Sequence, residues 1–169
     1  MPLHDGNSWY YACYDASGKS VGSGEAQATG EAGTYALVLT LPASFGTYEE
    51  LDLSEASFGV AISGFQAFTF GSTFQYVGYL PSDGGYISSE WPDGNGGTIS
   101  HTGGGSTSQI VLPMGQTVNA VTFHDVDSKT GPINDISYAP GVGPVLISAS
   151  GPVINLAADS CILKSYILF

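Results

Sequence analysis

Residues 121–138 read VTFHDVDSKTGPINDISY, two runs of β-branched and aromatic residues around a polar, turn-rich centre. Runs of that composition, bounded by Gly, Pro, Asp and Ser, form strands, and two of them joined by a short connection form an antiparallel hairpin. Successive side chains point to opposite faces of a strand. Val121 and Phe123 are therefore expected in a core and His124 on the opposite face, with DVDSKTGP as the polar connection.

The same alternation continues on both sides of this hairpin. SWYYACYD (8–15) places Trp9, Tyr11 and Cys13 on one face and Tyr10, Ala12 and Tyr14 on the other. TYALVLTL (34–41) is apolar on both faces, the mark of a strand covered from both sides. FGVAISG, FQAFTFG and TFQYVGYL follow, and then a glycine-rich region, 81–107, in which only YIS and TIS have strand character. SQIVLP, TVNAVTFH, INDISY, GPVLISAS, PVINL and CILKSYILF complete a series at intervals of about 8 to 12 residues, the spacing of antiparallel sandwiches and barrels. The one helix candidate is TYEELDLSEAS (47–57), where Thr47 and Glu50 stand at capping-box spacing. It reads equally as an edge strand with Leu51 and Leu53 on one side. The expected fold is all-β, a single antiparallel β-sandwich over residues 1–169, jelly-roll-like, with at most one short helix. The apolar C-terminal run, with Ile162, Tyr166 and Phe169 spread over both faces, predicts docking into a sheet, its own or a neighbour's.

Composition narrows the partners. The chain has no Arg, three Lys and 15 acidic residues, a formal charge of −12. Displacing counterions from a phosphate backbone needs cations, so nucleic acid and anionic lipid are excluded as expected partners. No run approaches the roughly 18 apolar residues of a spanning helix, and no membrane insertion is expected. The stretch MPLHDGNSWYY has neither a basic region nor an apolar run, so no signal peptide is predicted. Cys13 and Cys161 stand near opposite ends; a bridge between them would be worth about 4 to 5 kcal/mol in the chain-entropy model. Two buried thiols acting as small apolar residues fit the spacing as well.

Motifs that carry chemistry are few. Gly18-Lys19-Ser20-Val21-Gly22 has the form of a nucleophile elbow, but an elbow needs a strand turning into a helix, and turn clusters flank this serine on both sides. The P-loop match at Gly18-Lys19-Ser20 fails because Cys13 stands where a glycine is required. His4, His101 and His124 have no zinc-ligand spacing. Glu49, Glu50, Glu55 and Glu90 could in principle pair for glycoside hydrolysis, yet sequence places no two of them together. No enzyme activity and no obligatory cofactor is expected. Calcium is the one metal left open, because it accepts carboxylates and carbonyls from irregular loops. Asp125 and Asp127 are its first candidate ligands, ahead of the similar Asp83 and Asp93 loops. Tyr86 and Trp91, in the glycine-rich region, are the candidate sugar-stacking residues.

Residues 117–139, TVNAVTFHDVDSKTGPINDISYA, resemble the late strands of galactose-binding-like jelly-roll modules of secreted bacterial proteins. There a V-x-F strand is followed after a short loop by an Asp-Ile strand, and Val121, Phe123, Asp135 and Ile136 occupy the matching places. The resemblance implies a jelly roll whose loop end binds sugar or calcium. Residues 140–169, with three further strand candidates, depart from that module.

Three functions are ranked. An extracellular-looking composition, no export signal and apolar terminal strands point first to a structural protein of a virion surface, a capsid, decoration or tail component assembling with copies of itself or other virion proteins. A carbohydrate-binding module or lectin for cell-surface glycan comes second, and a subunit of an extracellular, strand-exchanged filament third. The expected location is the virion or the extracellular space.

Overall fold

The computed structural model describes residues 3–31, 33–42, 49–56, 59–67, 72–81, 85–92, 96–129, 131–149 and 160–169. These form thirteen strands: β1 (Ser8–Tyr14), β2 (Ser20–Glu31), β3 (Thr34–Thr40), β4 (Glu49–Ala56), β5 (Gly59–Ala67), β6 (Ser72–Pro81), β7 (Ile87–Pro92), β8 (Thr98–Gly103), β9 (Ser108–Val111), β10 (Thr117–Asp127), β11 (Gly131–Ala139), β12 (Gly143–Ala149) and β13 (Ser160–Ile167). Among the described residues there is no helix. The all-β, antiparallel class read from the sequence is the class the chain adopts.

Strands lie in the order β6-β5-β4-β3-β2-β1-β13-β12-β11-β10-β8-β7, with β9 paired to β10 off this path. Chain neighbours are sheet neighbours almost throughout, so the order is that of a meander and differs from the crossing order of a jelly roll. The long-range step is β1 against β13, which brings the two ends of the chain together in mid-sheet. The sheet must curl. Laid flat at about 4.8 Å per strand, its two outer strands would stand roughly 53 Å apart. The connection from Pro81 to Ile87 spans about 21 Å at most. β6 and β7 are in contact accordingly, and the inner face of the curled sheet encloses the core.

That face is written in the register. Phe123 lies opposite Ile136, Ile136 opposite Ile147, Ile147 opposite Cys161 and Cys161 opposite Cys13. All five are buried, making one apolar row across five neighbouring strands. Trp9, Tyr11, Leu37, Leu39, Leu53 and Leu163 extend it, each large apolar side chain contributing about 1.5–3 kcal/mol by leaving water. Cys13 and Cys161 are bridged, 148 residues apart in sequence and 4.1 Å apart at Cα. Two polar handles of β1 reach toward β12: the Trp9 indole N–H donates to the Val142 carbonyl, and the Tyr11 hydroxyl donates to the Pro144 carbonyl at 3.0 Å. The indole sits so close to Gly143 that a Cβ there would lie 2.6 Å from Nε1, and Gly143 has φ +112°. Only glycine suits both constraints.

The structure corrects several expectations. The helix candidate is strand β4, hydrogen-bonded on both sides to β3 and β5, so it is neither a helix nor an edge strand. Leu53 opposite Tyr35 is fully buried there; burial in the sheet outweighs a local capping signal, and Thr47 lies outside the described residues. Within the glycine-rich region β7 and β8 pair over six residues each, longer than the YIS and TIS fragments. PVINL lies outside the described residues. The C-terminal run docks into its own chain, between β1 and β12, and the Phe169 N–H beyond it donates to Asn7 Oδ1 at 2.8 Å.

Candidate functional site

β10 has a partner on each side over its C-terminal half, and polar and titratable side chains meet there. Toward β8, His124 faces Thr102 and Asp125 faces His101. Toward β11, His124 faces Asp135 and Thr122 faces Ser137. Alternation then sorts these groups between the two faces. On the inner side His101 Nδ1 meets Asp125 Oδ1 at 2.7 Å, and the imidazole stacks on the Phe123 ring, 5.1 Å between centroids and 4° between planes. On the outer side His124 Nδ1 meets Asp135 Oδ1 at the same 2.7 Å, while Thr122 and Ser137 share a hydroxyl bond of 2.9 Å.

The outer pair opens onto a groove of about 350 Å³, lined among others by Tyr86, Thr102, Ser106, Ser108, Thr122 and His124. Tyr86 is 66% exposed. It is seated by glycine: Gly104 (φ +84°) lies so tightly on Gly85 that a Cβ would come 2.0 Å from the Gly85 carbonyl oxygen. A carboxylate is an acceptor only, so the 2.7 Å contact makes His124 Nδ1 the N–H donor to Asp135. In the uncharged ring that tautomer leaves Nε2 as the acceptor. The groove thus combines the Tyr86 phenol, four aliphatic hydroxyls that donate or accept, and one imidazole, with no lysine among its lining.

The sequence candidates fare unevenly. Tyr86 lines the groove. Trp91 is placed by its backbone, in β7 opposite Ile99; its side chain lies outside the described residues. Asp125 and Asp127 stand on β10 rather than in a loop, because the strand runs on through Asp127. Asp125 holds His101, and the buried Asp127 accepts the Lys129 N–H at 2.7 Å. Among the described residues no group of three or more His, Cys, Asp or Glu could hold a metal ion. Asp83 and Asp93, like the side chains of Glu49, Glu50 and Glu55, lie outside the described residues. Ser20 opens β2 directly after the β1–β2 turn and pairs with Tyr14, where no helix follows to make an elbow. Sequence reasoning missed the His124–Asp135 pair and the hydroxyls around it.

No protein-family model matches the chain, and no curated protein matches it. Two solved structures match it. An inferred lipoprotein from Parabacteroides distasonis superposes with a TM-score of 0.51 at 14% identity, covering 99% of this chain and 97% of the other. An inferred exported protein with a YmcC-like fold from Bacteroides fragilis gives 0.42 at 14% identity, covering 99% and 98%. At such identity the first likeness is one of fold: a β-rich chain of matching length.

Proposed function

We propose that this protein is a non-enzymatic, extracytoplasmic glycan-binding protein that takes its ligand in the Tyr86 groove. The observation that carries the reading is the exposed Tyr86 ring beside a groove lined by Thr102, Ser106, Ser108, Thr122 and His124. Sugars have an apolar ring face and a polar hydroxyl rim; an aromatic ring packs on the first while hydroxyls and an imidazole pair with the second. The Cys13–Cys161 bridge supports an oxidising compartment, and the fold shared with an inferred bacterial lipoprotein supports the envelope or the extracellular space. A glycan array followed by calorimetry tests the reading. Binding of at least one glycan is expected, with Tyr86→Ala weakening it about tenfold or more through loss of stacking; a blank array removes the reading.

A second reading, a virion or filament subunit assembling with its own copies, is favoured by one observation. The β9–β10 hairpin exposes Val111 and Met114 at its turn, and exposed apolar side chains of this kind supply contact surfaces. Light scattering decides it: a closed multimer that falls to monomer on Val111→Asp supports assembly, and a monomer at all concentrations rejects it.

A further inference from the structure

We infer that the groove selects neutral glycans over acidic ones, and that the His124–Asp135 pair is the element that enforces the choice. This rests on the glycan-binding reading of the same groove. The hydroxyls of Thr102, Ser106, Ser108 and Thr122 rotate to donate or accept as a ligand requires, so they discriminate little. His124 differs. Asp135 takes its Nδ1–H, which in the uncharged ring leaves Nε2 as an acceptor that a ligand donor satisfies. A sugar hydroxyl placed there donates to it. A carboxylate or sulfate has no proton to give, and would meet a lone pair backed by the Asp135 charge.

The rest of the molecule pushes the same way. Of the chain's three cations, Lys19 pairs its backbone into the β1–β2 turn, Lys129 follows β10 and Lys164 lies on β13; none lines the groove. With a net charge of −12, the surface repels an anionic polymer before contact. Asp135 is therefore a positioning residue: it acts on the ligand by fixing the ring's tautomer.

The test titrates the full chain with neutral oligosaccharides and with uronate and sulfate forms of the same backbones. Neutral forms are expected to bind at least about tenfold more tightly at low ionic strength, the gap narrowing as salt screens the repulsion. Acidic forms binding as well as neutral ones overturn the inference and leave the glycan reading standing; no binding by either removes both. Nitrogen-15 NMR of the neutral imidazole supplies the second readout, with His124 expected as the Nδ1–H tautomer in the wild type and shifted toward Nε2–H in Asp135→Asn. An Nε2–H tautomer in the wild type overturns the assignment. As a control for folding, the exposed His124 is replaced by Gln, which keeps an acceptor, and by Leu, which does not. His124→Gln is expected to retain neutral-glycan binding and His124→Leu to lose it, and equal affinity in the two variants counts against the role.

Discussion

The two His–Asp pairs of β10 are made of the same atoms at the same 2.7 Å, one residue apart along one strand, and they live in opposite surroundings. His101 has 5% of its side chain exposed and Phe123 stacked on it, whereas His124 has 50% exposed and a groove in front of it. An identical contact is structural in one place and available for recognition in the other. Its role is set by which face of the sheet it occupies, and that is set by a single step along the strand.

The comparison yields predictions in order of size. The strongest test of the inner face is its covalent rung: replacing Cys13 and Cys161 by Ser frees a loop of 148 residues, for which about 5 kcal/mol of stability should be lost, read by urea denaturation without reductant. Next comes the inner pair itself. Asp125→Ala strips a buried imidazole of its carboxylate and is expected to cost about 3 kcal/mol; a loss as small as that of the outer pair would erase the contrast. Tyr11→Phe, on the same inner face, removes one buried bond to the Pro144 carbonyl and about 1 kcal/mol at neutral pH. Burial, and then the neighbouring Tyr138, hold the Tyr11 phenol well above its ordinary value of 10.0. A raised folded pKa means that stability is intact below pH 10 and falls above it, as the unfolded chain ionises and the folded chain does not. Tyr11→Phe should therefore flatten the alkaline loss of stability in denaturation curves taken across that range. Smallest of all, Asp135→Ala on the outer face should cost well under about 1 kcal/mol, while glycan binding drops; a large loss of stability would make the outer pair structural as well.

Much of the fold was legible because the alternation is strong. Val121 and Phe123 inside, His124 outside, and Trp9, Tyr11 and Cys13 sharing the buried face all follow from a period of two, and the structure agrees at each. Where local signals compete with sheet pairing, the reading loses. Residues 47–57 carry a helix-start pattern, and their described part, 49–56, is an interior strand, because the sheet buries Leu53. DVDSKTGP reads as the polar connection after His124, yet β10 continues to Asp127, with Asp125 held by a histidine that a different hairpin delivers.

The site was hidden by a further device. The turn after Asp127 places Asp127 opposite Gly131 and Val126 opposite Pro132, and continuing that count would bring His124 to Asn134. A bulge between Asp125 and Val126 shifts the register by one and delivers Asp135 instead. Bulges re-aim side chains in this way, and nothing in the alternation of residues 121–138 announces one.

The meeting of β1 and β13 has a mechanical consequence. Ser8 lies opposite Ile167 and Cys13 opposite Cys161, so the two ends of the chain leave the sheet at the same side. A pull between them would peel the rungs one at a time from Ser8 to Ala12 and then stop at the sulfur bridge. Everything from Cys13 to Cys161, groove included, lies outside the load path. The length a pull can release before the bridge takes the load is confined to the residues outside Cys13–Cys161.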